Sequence, residues 1–122
     1  MDKNFFKEVR ILDGGMGQEL LARGLDVNGT LWSANALLHE KYHQLVLETH
    51  LDFIRAGAEV IVTTTFSSKR IRLRENNIED KFEYLNIKAG EIAKKAKELN
   101  PHILIAGGLP PQNLVYETDT RH

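Results

Sequence analysis

The stretch that organises this chain is VRILDGGMGQELL, which occupies residues 9–21. It opens with three apolar residues that suit a strand covered on both faces, namely Val9, Ile11 and Leu12. After Asp13, the pair Gly14 and Gly15 permits backbone angles that other residues avoid, so the chain can turn sharply there. Apolar residues then recur at helical spacing from Met16 onward. The stretch therefore predicts a buried strand, a tight turn and a helix.

Asp13 is placed by this pattern at the carboxyl end of a strand, beside the exposed amides of a helix start. Ligands of α/β proteins bind at that edge of the sheet, and helix-start amides favour a negatively charged group. A carboxylate next to free N–H groups suits the two ends of an amino acid. The alternative is a plain βα turn in which Asp13 caps the helix. These residues alone leave both interpretations open.

Composition restricts the class of protein. The chain has 122 residues, of which 42% are hydrophobic and 27% charged, as in one folded globular domain. Sixteen basic residues against seventeen acidic ones give no support for a nucleic-acid partner. The absence of cysteine excludes disulfides and thiolate metal sites. No apolar run approaches the ~20 residues of a membrane span, and the first residues lack the apolar segment of a secretory signal. We therefore expect a cytoplasmic protein without a membrane partner.

Apolar periodicity predicts an alternation of strands and helices along the chain. The predicted helices cover residues 16–23, 39–56, 68–75 and 79–99, with a brief turn at 34–38 capped by Ser33. The predicted second and third strands cover 58–64 and 102–106, and the tail from residue 113 is predicted as a loop. Because no hairpin signal occurs, this order favours a parallel sheet wrapped by helices.

Three predicted strand ends collect polar or flexible residues, at 13–15, 63–68 and 107–111. In a parallel sheet these ends meet at one edge. A (β/α)8 barrel places its active site there, and a doubly wound sheet does something similar. The pattern alone does not separate the two architectures.

Four motifs occur together in one order and spacing: LDGGMGQEL at 12–20, LWSANALL at 31–38, AGAEVIVTTTF at 56–66 and IAGGLPP at 105–111. Together they resemble the N-terminal part of the homocysteine S-methyltransferases, which include the betaine–homocysteine enzymes and the homocysteine-binding module of methionine synthase. The resemblance implies that residues 1–122 are the N-terminal part of a homocysteine-binding (β/α)8 domain. Since such a barrel needs ~250 residues, the chain would supply its first three βα units.

The resemblance also implies which residues bind the substrates. Asp13 would hold the amino group of homocysteine, and the amides of the turn Gly14-Gly15-Met16 would hold its carboxylate. Trp32 would lie near the methyl donor, because an indole face attracts a trimethylammonium or sulfonium cation. A packing role for Trp32 at the barrel mouth is the alternative. Thr65 and Phe66 would line the pocket at the end of the second strand.

The methyl donor is left open by the sequence. Relatives often carry Tyr or Gln where this chain has Ser67, so betaine, S-methylmethionine, S-adenosylmethionine and methyl-folate all stay candidates. Four basic residues follow the second strand and would suit an anionic donor such as a folate tail, although a solvated helix face is the favoured interpretation: Lys69, Arg70, Arg72 and Arg74.

Zinc is implied for the full-length family enzyme, because coordination holds the homocysteine thiol as the nucleophilic thiolate. The family's zinc ligands are cysteines from the later part of the barrel, and this chain has none. We therefore expect the chain to be a fragment that is inactive alone. The alternative is a non-catalytic, truncated remnant that acts as a structural or interaction module. An open sheet edge would favour self-association in either case.

His39-Glu40-Lys41-Tyr42-His43 matches the HExxH pattern of zinc peptidases. His50, as a conceivable third ligand, would lie ~16 Å from His39 along one straight helix, too far to share a zinc ion. We therefore interpret these histidines as surface or edge-of-core residues.

Overall fold

The computed structural model describes residues 2–111. Its α-helices are α1 (Met16–Ala22), α2 (Ser33–Leu38), α3 (His43–Arg55), α4 (Arg70–Glu75) and α5 (Phe82–Leu99), and its strands are β1 (Val60–Val62) and β2 (Leu104–Ala106). Short 3-10 helices cover Lys3–Lys7, Glu40–Tyr42 and Glu79–Lys81. The predicted tail lies outside the described residues.

The strands are parallel, as the order of elements predicted. β1 pairs with β2 in the register Val60 to Leu104 and Val62 to Ala106. On its other side β1 meets the first predicted strand through a parallel bridge between Leu12 and Val60. The Glu59 amide donates to the Ile11 carbonyl at 2.8 Å beside that bridge. β1 is thus the centre of three parallel segments.

The prediction of a buried first strand is wrong for the structure described. Val9, Ile11 and Leu12 are 96%, 58% and 59% exposed. This segment lies at the edge of the sheet, where it has a partner on one side alone, and no described element covers its side chains. The run is apolar, but its burial requires a covering element from another part of the chain, which the local sequence pattern does not specify.

Helices α3 and α5 cover one face of the sheet, because each carries an apolar stripe. In α5 the buried positions recur at steps of about one turn: Leu85, Ala89, Ile92, Ala93 and Ala96. Ile54 of α3 and Ile61 of β1 pack with the last two of these and with Ile103. A second cluster fills the space between α1, α2, α3 and α5, around Leu20, Leu37 and Val46. The two clusters fix the strand ends relative to the helices.

Two predicted boundaries need correction. The helix expected from residue 39 begins as an α-helix at His43, since Glu40–Tyr42 form a 3-10 turn. Ser33 is the first residue of α2 rather than its cap, and its hydroxyl lies 3.4 Å from that of Ser67. Within residues 2–111 no helix is long and apolar enough to cross a membrane.

Candidate functional site

The carboxyl ends of the first segment and of β1 border a cavity of about 410 Å³. Its walls come from residues 13–18, from Trp32 and Ser33, and from the end of β1 with the loop and helix that follow: Val62, Thr63, Thr64, Phe66, Ser67, Lys69 and Arg72. The cavity therefore collects six of the seven residues expected at a substrate site: Asp13, Gly14, Gly15, Met16, Trp32 and Phe66.

Asp13 is partly buried at the edge of this cavity. Its Oδ2 accepts a hydrogen bond from the Val62 amide at 2.9 Å, which ties the end of the first segment to β1. Burial raises the pKa of the Asp13 carboxyl, and the hydrogen bonds from the amides of Val62 and of Asp13 itself oppose that rise. The N-cap of α1 is Gly15, without a side-chain cap, so the helix-cap interpretation of Asp13 is wrong. The carboxylate faces the cavity and the sheet instead.

The turn after Asp13 must be narrow, because Phe53 of α3 packs against it. A Cβ atom on Gly14 would lie 2.9 Å from Cε1 of Phe53, closer than real Cβ contacts come. Within residues 2–111 the amides of Gly14 and Gly15 donate no hydrogen bond. Two N–H groups at the edge of the cavity are therefore available to an acceptor.

Trp32 has an unusual backbone conformation, with φ +50° and ψ −129°. The turn is closed by the Ala34 amide, which donates to the Leu31 carbonyl at 3.0 Å. A bulky residue in this region stores about 1–3 kcal/mol of strain. The indole lines the cavity and packs beside Gly17 of α1 while staying 43% exposed. The strained turn thus holds the indole at the wall of the cavity.

Thr65 is the expected site residue that the cavity does not include. It is buried, and its hydroxyl donates to the carbonyl of Gly108 at 2.7 Å. In return the Gly108 amide donates to Oγ1 of Thr63 at 3.0 Å. These bonds fasten the loop after β2 to the end of β1. Phe66, the next residue, lines the cavity and is half exposed.

His50 lies beneath the end of β1. It is fully buried, and its Nε2 is 3.5 Å from Oγ1 of Thr64, which lines the cavity. Its Nδ1 has no hydrogen-bond partner among the described residues. Burial lowers the pKa of His50 from 6.5 to about 4, so the ring is neutral at pH 7.

The basic cluster after β1 divides into two pairs. Arg70 and Arg74 are exposed, and both lie near the carboxylate of Glu79. Lys69 and Arg72 are buried and line the cavity, so the interpretation of a solvated helix face is wrong for them. The spacing in the sequence could have distinguished the two pairs. Lys69 and Arg72 are three residues apart and so lie on one side, together with Leu73, which is fully buried.

The HExxH residues do not form a metal site. His39 is the C-cap that follows α2, and His43 is the first residue of α3, so they do not share one α-helical face. Nε2 of His43 donates to the Leu37 carbonyl at 2.7 Å. Throughout the described range no group of three histidines or acids is placed to hold a metal ion. With no cysteine in the sequence, these residues do not fit the zinc that the resemblance implies.

Comparison with known proteins identifies the family to which this sequence is similar. The homocysteine S-methyltransferase family model matches residues 10–121. A homocysteine S-methyltransferase of Escherichia coli is 33% identical over 113 residues, covering 86% of this chain and 36% of its own length. Homocysteine S-methyltransferase 2 of Zea mays is 36% identical over 90 residues, covering 73% of this chain and 26% of its own length. The chain therefore spans only about a quarter to a third of the length of these two relatives.

A solved structure is also similar. The metallated form of the homocysteine methyltransferase MmuM from Escherichia coli superposes with a TM-score of 0.74 at 33% identity, covering 89% of this chain and 41% of that one. The sequence match over residues 10–121 and the shared fold lead to one conclusion. The chain belongs to the homocysteine S-methyltransferase family.

Proposed function

We propose that this chain is the homocysteine-recognising, N-terminal part of a cytoplasmic enzyme that transfers a methyl group to the sulfur of homocysteine and so forms methionine. Its three parallel segments would be the first three βα units of a (β/α)8 barrel, with residues 1–122 belonging to one homocysteine-binding domain. Family membership and the position of Asp13 at the carboxyl edge of the segments support this proposal.

The observation that carries the proposal is the pairing of a carboxylate with unused amides at one edge of a cavity. One Asp13 oxygen is held by Val62, which leaves the other to accept from the ammonium group of an amino acid. The free amides of Gly14 and Gly15 suit the carboxylate of the same molecule. Trp32 and Phe66 would border the methyl donor, and Thr65 would support that side by holding Gly108.

Methyl transfer itself is not expected from this chain. In the family reaction, zinc would hold the homocysteine sulfur as thiolate, and the residues present here offer no ligand set for it. We assign to this chain the binding and orientation of the amino acid, and we derive no step at the metal.

Calorimetric titration of the chain with homocysteine tests the proposal. Asp13→Asn keeps an oxygen for the Val62 amide but removes the negative charge, so we expect it to weaken binding about 10- to 100-fold, as for loss of a charged hydrogen bond. Asp13→Ala should abolish binding. Asp80→Asn, at an exposed acid outside the cavity, is the matched control and should bind like the parent chain. Equal affinities for the parent chain and Asp13→Asn would contradict the proposal.

A non-catalytic interaction module is the second candidate, and the exposed apolar edge at Val9, Ile11 and Leu12 favours it. An uncovered parallel edge is a template for pairing with a second copy. Sedimentation of the chain against an Ile11→Lys variant tests this: a dimer that this change dissociates, together with no homocysteine binding, would favour the module over the enzyme part.

A further inference from the structure

The loop before Trp32 contains the dipeptide Asn28-Gly29, which the proposed function does not use. Asparagine is among the chemically labile residues of proteins. Its side-chain amide is lost without an enzyme when the backbone nitrogen of the next residue reaches its Cγ atom. Asn28 is exposed, and the residue that follows it has no side chain to shield that nitrogen. The dipeptide is therefore a candidate site of covalent change.

The conformation and surroundings of Gly29 favour glycine at this position. Its φ angle is +54°, in the left-handed region, and a Cβ atom there would lie 2.7 Å from Oδ1 of Asn76. The Asn76 side chain is held in place, because its Nδ2 donates to Oγ1 of Thr30 and to the carbonyl of Arg72. Within residues 2–111 the Gly29 amide donates no hydrogen bond. The Gly29 nitrogen is therefore neither shielded by a side chain of its own nor bound to an acceptor.

We propose that Asn28 is a modification site that deamidates spontaneously through a cyclic imide with Gly29, and that this change detaches the loop of residues 24–32 from α2. The Gly29 nitrogen loses its proton and bonds to Cγ of Asn28, while the bond from Cγ to Nδ2 breaks and Nδ2 leaves as ammonia. Water then opens the ring. Opening at Cγ gives aspartate, and opening at the main-chain carbonyl carbon gives isoaspartate, in which the backbone runs through Cγ. Either way a water molecule is consumed and an ammonia molecule released, and no oxidant is needed.

The side chain of Asn28 ties this loop to α2. Its Nδ2 donates to Oδ1 of Asn35 at 3.1 Å, and Asn35 is only 3% exposed. Nδ2 of Asn35 donates in turn to the Asp26 carbonyl at 3.0 Å. The carbonyl of Asn28 also accepts from the Leu31 amide at 3.1 Å, which closes the turn just before Trp32. Both the side chain and the backbone of Asn28 therefore hold the loop in place.

Loss of the amide reverses the contact with Asn35. A carboxylate oxygen of residue 28 would face Oδ1 of Asn35, and neither atom carries a proton to donate. Asn35 cannot turn its Nδ2 towards the new carboxylate without giving up the Asp26 carbonyl. In isoaspartate, moreover, the carbonyl that accepts from Leu31 becomes a free carboxylate, and the backbone lengthens by a carbon atom. Both products therefore release the loop that leads to Trp32, which lines the cavity.

Peptide mapping of the aged chain tests the proposal. The folded chain is kept at neutral and at mildly alkaline pH, digested with trypsin at intervals and analysed by mass spectrometry. The tryptic peptide of residues 24–41 carries Asn28 and the buried Asn35, and that of residues 75–81 carries Asn77, which is exposed but precedes a β-branched residue. We expect Asn28 to gain the mass of deamidation at least about 10-fold faster than either control asparagine. Aspartate and isoaspartate should both form, and faster at the higher pH, because the attacking nitrogen must lose a proton.

Variants then connect the chemistry to the loop. Asn28→Gln keeps an amide but has to form a larger ring, so position 28 should keep its mass. Trp32 is the only tryptophan in the sequence, so its fluorescence reports on this loop. Acrylamide should quench it more strongly in Asn28→Asp, which fixes one product, and in the aged chain than in the fresh parent. Asn77→Asp is the matched control, because it adds the same charge at an exposed asparagine outside the loop, and it should leave the quenching unchanged.

The rate at Asn28 in the folded chain decides the proposal. Equal rates at Asn28 and Asn77 overturn it. Deamidation of Asn28 in the urea-unfolded chain but not in the folded chain also overturns it, because the fold would then protect the residue. A mass gain at Asn28 with the quenching of Trp32 unchanged contradicts the release of the loop. Circular dichroism checks that each sample is folded, and the aged parent chain supplies the measurement even if Asn28→Asp does not fold.

Discussion

His50 should make the stability of this chain depend on pH in the mildly acidic range. In the folded state its pKa is about 4, against 6.5 for a free histidine, because burial disfavours the charged ring. The unfolded chain therefore binds more protons than the folded one between these values. Acid favours the unfolded state, and the free energy of unfolding falls as the pH falls from 6.5 towards 4.

The magnitude follows from the two pKa values. Between about pH 7 and pH 5 the unfolded ring becomes protonated while the folded ring stays neutral, and linkage gives a loss of about 2 kcal/mol; by pH 4 the loss is about 3 kcal/mol. A domain is stable by only about 5–15 kcal/mol, so this single ring accounts for a measurable share. Urea unfolding followed by circular dichroism, at pH values from 7 to 4, measures it.

Two variants isolate the contribution of His50. His50→Gln removes the titrating ring. Between pH 7 and pH 5, the free energy of unfolding of this variant should therefore fall by about 2 kcal/mol less than that of the parent chain. His39→Gln, at an exposed histidine, should keep the slope of the parent chain. Parallel curves for His50→Gln and the parent would refute the reasoning, as would a folded-state His50 that titrates near 6.5 by NMR.

Two further predictions concern the cavity and the reaction. Trp32→Gly should change the free energy of unfolding, measured in urea, by no more than about 1 kcal/mol, because relief of the strained turn offsets the lost packing of the ring; loss of a buried core tryptophan would cost about 3–5 kcal/mol. The affinity for the methyl donor should fall in Trp32→Gly and persist in Trp32→Phe. A large destabilisation would show instead that Trp32 is a packing residue. The purified 122-residue chain should form no methionine from homocysteine and any of the four donors, with or without added zinc, because it has no cysteine ligands, and methionine detected by mass spectrometry would contradict this.

Much of the layout could be predicted because it depends on local pattern. The apolar stripe of α5 and the β-branched run of β1 are visible in the sequence, and parallel pairing follows from their alternation. Burial could not be predicted in the same way. The run at Val9–Leu12 has the composition of a covered strand, yet its exposure depends on which elements surround it.

The site shows the same division. The glycines predict the turn after Asp13, and the structure adds that the Phe53 ring packs so closely against Gly14 that a Cβ atom there would force the ring to shift. Lys69 and Arg72 were not separated from their exposed neighbours, because four basic residues in six positions look alike without the helix geometry. The sequence places Thr65 among the residues that line the pocket, but in the structure its hydroxyl donates a hydrogen bond to the Gly108 carbonyl instead.

The bonds that Thr63 and Thr65 make with Gly108 have a mechanical consequence. Since both the amide and the carbonyl of one residue are held, the segment after β2 cannot shift without pulling on the threonines, one of which borders the cavity. The chain segments that follow β1 and β2 are therefore mechanically coupled at this edge of the sheet. A change at Thr65, whose side chain does not line the cavity, would weaken this coupling and so alter the wall that Thr63 contributes.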